Sequence, residues 1–389
     1  MLSPSAVNNG NGSALRSTRY RLLDAWRGVA CLMIVIGHAS GTLVDDDWST
    51  TNLPGLLVTA IHGIHKLLFT GVAFFFVISG YCIAASADSA RRHNHGAALF
   101  FWRRFRRIYP PYWIFLLLLV ALFYVSTLFG FDSLVTQGEC RIPDPGVLTL
   151  PQWLGNLTLT ETWRPYVIGS WSPKKFLFGP AWTLCFEEQF YALCGLLLLL
   201  APRHLFRGAI VITVFTLAML PFTFLSAEPR FSGFFFDGHW LNFAAGIWVF
   251  YFVTQTQKPW VWRQCLIPLG GLAGAIVLRY GMLPAVSGVE QKTVAFELIF
   301  GACMALVLAL LHRWDARLAA VRLIQPLALC GQLCYSLYLL HWPVTILVSH
   351  SFYEWGIRGL VPTLLVTVPV ATGLSIGAAW VFHVLVERR

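Results

Sequence analysis

The chain of 389 residues is too apolar for a soluble domain of ordinary composition, with 57% hydrophobic and 12% charged residues. Charged residues usually make up about a quarter of a soluble domain. The net charge of +10 could indicate nucleic-acid binding, but basic residues that anchor cytoplasmic loops explain it more simply. The nine cysteines lie mostly in apolar segments without zinc-ligand spacing. We therefore expect neither a disulfide framework nor a bound metal or cofactor.

The beginning of the chain differs from the rest. Residues 1–15 are rich in Asn, Gly and Ser, which predicts a disordered tail over 1–19 because such a segment buries too little apolar surface. The first apolar segment contains Asp24 and Arg27, unlike the core of a cleavable signal peptide, so we expect it to be retained. Residues 20–389 are predicted to form one membrane domain.

Apolar segments of roughly 18–25 residues recur along the chain, and each is long enough to cross a hydrocarbon core of about 30 Å as a helix. Backbone groups in lipid must be hydrogen-bonded within the segment, so an all-α integral membrane fold is expected. The ten predicted spans are about 22–43, 67–87, 110–130, 183–201, 208–226, 234–253, 265–282, 293–311, 327–349 and 361–386.

The basic residues indicate an orientation. With the N-terminus inside, the inner segments hold roughly twice as many Lys and Arg residues as the outer ones, as the positive-inside rule requires. Both termini are therefore predicted to be cytoplasmic. The long loop at about 131–181 then lies outside, and its tryptophans fit packing on a ligand and an interfacial aromatic belt equally well.

Two ionisable residues lie in the first span, where they are costly and therefore candidates for function. Arg27 and His38 are about three helical turns apart, which places them on nearly one face and about 16 Å from each other. A neutral imidazole beside a hydroxyl can act as a general base. A histidine that only hydrogen-bonds a neighbouring helix explains the position equally well.

The fourth span begins with two adjacent carboxylates, Glu187 and Glu188, and we expect at least one to point inward. Glu187 shares a helix face with Tyr191, four residues later. The predicted topology puts Glu187 at about the depth of His38, where a carboxylate would orient the imidazole and stabilise the imidazolium. The alternative is a carboxylate that reaches the membrane interface without a partner.

A dense basic cluster precedes the third span. The simpler interpretation is a topology anchor in contact with anionic lipids. The sharper one is a clamp for the phosphates of a nucleotide-like donor, since arginine binds phosphate bidentately. The cluster consists of Arg103, Arg104, Arg106 and Arg107. Other polar or amphipathic side chains in or beside the spans could equally be contacts between helices: Ser79, Trp182, Tyr335 and His341.

Together these segments resemble the membrane-bound acyltransferase-3 family, over essentially the whole chain from about residue 20. Two departures are Ala73, where the family often has Asp, and Thr183, which replaces the usual Ser. No hydrolase-type domain follows the last span, so a stand-alone transferase module is expected. Four motifs match in order: Arg-x10-His from Arg27 to His38, Phe-Phe-x-x-Ser-Gly-Tyr from Phe75 to Tyr81, the basic run RRFRRIYP, and the Trp-x-Leu-x-x-Glu-x-x-Phe-Tyr run from Trp182 to Tyr191.

The resemblance implies a membrane enzyme that moves an acyl group, commonly acetyl from acetyl-CoA, to a hydroxyl of a saccharide or another small acceptor. It implies membrane lipids as partners and no nucleic acid, and we expect the inner membrane of a bacterium; the oligomeric state stays open. By analogy, the catalytic residues are His38, Glu187 and Arg27, the donor-binding residues are Arg103, Arg104, Arg106 and Arg107, and the supporting residues are Trp182, Tyr191, Ser79, Tyr335 and His341.

Two other functions remain open at this level. A transporter of acyl or glycan intermediates would also place paired charges within its spans, although no inverted repeat is evident. A non-catalytic scaffold would leave the ionisable residues unexplained. Within the acyltransferase hypothesis, direct transfer and a covalent acyl-histidine intermediate are both compatible with the sequence.

Overall fold

The computed structural model describes residues 20–41, 54–93, 96–131, 141–163, 174–224, 234–236, 238–255 and 289–388. All regular secondary structure in these residues is helical, which confirms the predicted all-α fold. The predicted disordered tail and the seventh predicted span lie outside the described residues.

The helices are numbered in chain order, and several are joined by short 3-10 turns. The last one contains two π-helical segments, Thr363–Thr367 and His383–Glu387. The helices are α1 Leu23–Gly41, α2 Gly55–Phe69, α3 Gly71–Arg92, α4 Ala97–Leu128, α5 Leu150–Leu157, α6 Ala181–Leu200, α7 Leu205–Phe224, α8 His239–Gln255, α9 Val289–Leu311, α10 Asp315–Ala319, α11 Gln325–Gln332, α12 Cys334–Glu354 and α13 Leu360–Glu387.

Several helices can cross a membrane by length and composition. Within the described residues there are five, and a sixth if the segments around α11 and α12, bent by 75°, form one span. Apolar side chains on their outer faces are exposed, such as Leu117 on α4 at 71% and Leu365 on α13 at 72%, as expected for surfaces that lipid covers. A multi-spanning membrane protein is thereby confirmed, whereas ten spans and cytoplasmic termini stay predictions.

Helix α1 lies at the centre of the bundle, in contact with α2, α3, α11, α12 and α13. Its beginning is fixed by Asp315, whose carboxylate oxygens accept hydrogen bonds from Arg21 N and Leu22 N, both at 2.8 Å. Helix α11 approaches α1 so closely that a Cβ atom on Gly331 would lie 1.6 Å from Asp24 O. Only glycine permits this backbone contact, which holds α1 in one position.

Replacing Gly331 by alanine is expected to destabilise the protein by about 1–3 kcal/mol, because α1 and α11 must separate to admit a methyl group. The thermal midpoint of the purified protein in detergent measures this. Gly377→Ala in α13 is the matched control, since no atom beyond the neighbouring backbone of its own helix lies within 4 Å of the added Cβ and alanine favours helix. Equal midpoints for the two variants would contradict the close contact.

The described part of the long loop packs along α4 and leads into α6. Asn156 joins its two halves, because its Nδ2 donates to Lys175 O and its Oδ1 accepts from Leu177 N, both at 2.8 Å. Trp113 of α4 donates from Nε1 to Leu157 O at 2.9 Å. Leu177 is fully buried, so the segment that leads into α6 is covered by the rest of the protein.

Candidate active site

Three adjoining cavities run between the helices that carry the predicted site residues. Their volumes are about 450 Å³, 60 Å³ and 770 Å³. We call them the His38 chamber, the neck and the arginine chamber. The His38 chamber is lined by His38, Phe69, Arg141, Trp182 and Trp342. The neck is lined by Ser79, Glu187, Tyr191 and Tyr335. The arginine chamber is lined by Tyr20, Arg21, Asp24 and Tyr81.

Shared lining residues make the cavities neighbours in this order. The neck has lining residues in common with each of the two chambers, so it lies between the arginine chamber and the His38 chamber. The His38 chamber and the neck share Phe75, Phe76, Thr183 and Tyr338, and the neck and the arginine chamber share Arg27, Cys82, Arg104 and Arg107.

Helix α1 spans the whole series of cavities. It is continuous through Arg27 and His38, and both side chains line the cavities, as the eleven-residue spacing predicts. The two residues are about 16 Å apart along the helix axis. One rigid helix therefore sets the distance between the guanidinium at one end and the imidazole at the other.

The tautomer of His38 is fixed by the backbone of its own helix. Its Nδ1 lies 3.0 Å from Ile34 O. A carbonyl oxygen can only accept, so Nδ1 carries the hydrogen and the neutral ring keeps its Nε2 lone pair. A backbone carbonyl thus performs the orienting function for which the sequence suggested a carboxylate.

A second imidazole, His341, lies against His38 with ring centroids 5.0 Å apart. His341 is fully buried, and its Nδ1 donates to Leu337 O at 3.1 Å and Tyr338 O at 2.7 Å. Its Nε2 has no hydrogen-bond partner among the described residues. The sequence named His341 only as a supporting residue, and nothing in the spacing along the chain predicts its contact with His38.

Glu187 lies in the neck rather than beside His38. Its Oε1 accepts hydrogen bonds from Ser79 Oγ at 2.9 Å and from the Tyr191 hydroxyl. The predicted contact between Glu187 and His38 is therefore wrong. A similar expected depth does not decide which neighbour a side chain faces, and the packing of α6 turns Glu187 towards Ser79 of α3. The i, i+4 relation between Glu187 and Tyr191 was predicted correctly.

The basic cluster divides into two pairs. Arg104 and Arg107 line both the neck and the arginine chamber, and the Arg104 guanidinium lies 5.3 Å from the Tyr191 ring centroid. Arg107 is exposed, as are Arg103 and Arg106, but the last two line neither cavity. The periodicity of α4 separates the four side chains, so only one pair faces the predicted donor path.

Arg27 is held by two partners at the boundary between neck and arginine chamber. Its Nη1 lies 3.0 Å from Asp24 Oδ1 and its Nη2 lies 2.9 Å from Cys82 Sγ. Arg27 and Asp24 line the arginine chamber together with Arg21, Arg104 and Arg107. Four guanidinium groups against one carboxylate give this chamber a positive potential that suits a polyanionic ligand.

The other supporting residues lie on the walls of the cavities. Trp182 lines the His38 chamber, and Tyr335 lines the neck and donates to Ile108 O at 2.7 Å. Tyr338, which the sequence analysis did not select, donates to Pro180 O at 2.5 Å and lies 3.0 Å from Thr183 Oγ1. It puts a hydroxyl pair at the junction of neck and His38 chamber.

Comparison with known proteins identifies the family of the chain. A family model described as "Acyltransferase domain" matches residues 20–384. "Putative membrane-bound transacylase BcsY" of Komagataeibacter xylinus is 25% identical over 374 residues, which cover 95% of this chain and 82% of that protein. "O-acetyltransferase OatA" of Staphylococcus aureus (strain NCTC 8325 / PS 47) is 26% identical over 302 residues, 74% of this chain.

The extent of the matches varies. The aligned part is 47% of OatA, about half the length of that relative. "Protein 2 in picA locus" of Rhizobium radiobacter is 29% identical over 167 residues, 43% of this chain and 75% of that protein. No solved structure matches the chain. Because the family model spans nearly the whole chain, the chain belongs to this acyltransferase family, and it is a membrane-bound enzyme that transfers acyl groups other than amino-acyl groups.

Proposed function

We propose that the chain transfers an acyl group, acetyl from acetyl-CoA, to a hydroxyl of a saccharide or another small acceptor. The observation that carries the proposal is the order of the cavities. The arginines lie at one end and the neck in the middle. At the other end is the imidazole of His38, whose Nε2 keeps its lone pair. Each part of acyl-CoA has a matching environment along this path.

The donor would bind with its phosphates in the arginine chamber. Arginine side chains hydrogen-bond phosphate oxygens bidentately, and Arg104 and Arg107 lie where this chamber meets the neck. The narrow pantetheine arm would extend past Arg27 and Glu187. With a volume of about 60 Å³, the neck is too small for the nucleotide. The thioester then reaches the His38 chamber while the adenosine stays behind.

In the proposed reaction His38 Nε2 accepts the proton of the acceptor hydroxyl as its oxygen attacks the thioester carbonyl. The new C–O bond forms and the C–S bond breaks. The CoA thiolate takes the proton from the imidazolium, which returns His38 to its neutral form. Thr183 would donate its hydroxyl hydrogen to the carbonyl oxygen as it becomes negative, while Tyr338, which donates to Pro180 O, lies beside Thr183 Oγ1.

In this proposal Glu187 binds the donor and does not orient His38. Ser79 and Tyr191 hold its Oε1, so the carboxylate is fixed in the wall of the neck. There it would accept from the amide N–H groups of the pantetheine arm. Arg27 and Glu187 would thus position the donor, while His38 performs the proton transfer.

The proposed topology keeps ten spans with both termini in the cytoplasm. The arginine chamber then opens to the cytoplasm, where acyl-CoA is made, and the His38 chamber lies towards the outer face. We place the chain in the inner membrane of a bacterium. In this arrangement lipids surround the exposed faces of α4 and α13.

Purified protein in liposomes tests this function directly. With acetyl-CoA labelled in the acetyl group, we expect covalently acetylated saccharide to accumulate in a time-dependent way. The transporter alternative predicts that label crosses the bilayer without becoming attached to the saccharide, and that result would contradict the proposal. Protein-bound label, trapped by rapid acid quench without acceptor, would favour a covalent histidine intermediate over direct transfer.

A further inference from the structure

The His38 chamber contains one permanent charge among the described residues. Arg141 lines it, and no Asp or Glu of the described chain does. In the described part of the chain Arg141 also has no ion-pair partner. Although Arg141 is exposed, its guanidinium is the permanent charge that the described lining residues contribute, and it gives the chamber a positive potential.

The backbone that carries Arg141 is held in place. Ile142, the next residue, is only 1% exposed and belongs to the main core. Asp144 Oδ1 accepts from Gly146 N at 2.7 Å, and Pro145 is buried between them. Because the backbone on its C-terminal side is fixed, that part of the chain need not be ordered when Arg141 binds a ligand, which lowers the entropic cost.

The rest of the chamber suits a flat, partly apolar ligand. The rings of Trp182, Trp342 and Phe176 line it, and aromatic rings offer apolar faces beside polar edges. The apolar face of a sugar ring can pack on such a surface while its hydroxyls remain free. His38 in the same chamber is the only histidine lining it among the described residues.

From this geometry we propose that the acceptor carries an anionic group, a carboxylate or a phosphate, which Arg141 binds while an acceptor hydroxyl faces His38. Arginine forms paired hydrogen bonds with both groups. The acceptor is then an acidic saccharide or a phosphorylated one, such as the sugar phosphate of a lipid-linked glycan. This inference rests on the proposed function, because it identifies the substrate class of that site.

Three probes that differ only at carbon 6 of the sugar test the inference: methyl glucoside, methyl glucuronide and methyl glucoside 6-phosphate. Binding to the full chain in nanodiscs is measured by calorimetry without acyl-CoA. We expect at least one anionic probe to bind about tenfold more tightly than the neutral one. Arg141→Gln should abolish that preference, and Arg141→Lys should retain part of it.

Arg358→Gln is the matched control, since Arg358 is exposed, bonds Tyr353 O at 3.0 Å and does not line the chamber. It should leave all three affinities unchanged. A preference for glucuronide identifies a carboxylate and a preference for the 6-phosphate identifies a phosphate.

No measurable preference of the wild-type protein for either anionic probe would overturn the inference. So would a preference that Arg141→Gln leaves intact. The binding measurement needs no acyl transfer. A protein that discriminates through Arg141 yet never acetylates a saccharide would therefore contradict the proposed function and leave the anion site in place.

Discussion

Replacing His38 by alanine is expected to lower acyl transfer by about a hundredfold to ten-thousandfold, the usual contribution of a positioned general base. The variant removes the Nε2 lone pair that would take the hydroxyl proton. We expect the fold to persist, because the one hydrogen bond of His38 among the described residues is to Ile34 O of its own helix, and its other contacts are ring contacts with Phe69 and His341. Initial rates with saturating acetyl-CoA and acceptor measure the loss.

His93→Ala is the matched control for this variant, because His93 is exposed at the end of α3 and bonds the backbone of Ser89. It should transfer at the wild-type rate. Both variants should unfold at the wild-type temperature. A His38→Ala protein that is folded and fully active would remove His38 from the reaction.

Neutralising Arg104 and Arg107 together is expected to raise the KM for acetyl-CoA about a hundredfold. Each guanidinium accounts for about tenfold, because a hydrogen bond to a charged group contributes about 1.5–3 kcal/mol. Both side chains line the neck and the arginine chamber. The KM for the acceptor should stay within about twofold. Steady-state kinetics with glutamine at both positions measure the change.

The control is the variant with glutamine at Arg103 and Arg106. It loses the same two positive charges, and both positions lie on the same helix as Arg104 and Arg107. These side chains are exposed and outside both cavities, and their loss should leave the donor KM nearly unchanged. Equal effects of the two double variants would mean that the cluster acts as a general basic surface, through lipid headgroups or long-range attraction, and not as a donor clamp.

Much of the fold follows from the sequence alone. Apolar length predicts helices, and the eleven-residue spacing of Arg27 and His38 predicts a shared face, because both are properties of a single helix. The relation between Glu187 and Tyr191 is predicted for the same reason. Each of these is a local property that neighbouring residues determine.

Contacts between helices could not be predicted in this way. The partners of Glu187 depend on how α6 packs against α3, and the loop segment before α6 is held by contacts of Asn156 and Trp113. The contact of His38 with His341 joins helices from opposite ends of the chain. Hydropathy gives no sign of either, because it reports where a segment is apolar but not which neighbour it faces.

The arginine cluster shows the same limit within one helix. Four arginines within five residues predict an anion-binding surface, and in the sequence the four positions look equivalent. Helical geometry divides them, but which pair lines the cavities is set by the packing of α4 against α6, where Arg104 lies over Tyr191. A pattern can therefore identify the ligand class without identifying the residues that contact it.

The narrowness of the neck has a kinetic consequence. In the proposed reaction, the acyl group passes through a volume of about 60 Å³ that its nucleotide carrier cannot enter. Free CoA must therefore withdraw by the route along which acetyl-CoA arrived, while the esterified product departs from the opposite end. The two exits are independent, so CoA should compete with acetyl-CoA and not with the acceptor. The enzyme would then export acetyl groups across the bilayer and keep the cell's coenzyme inside.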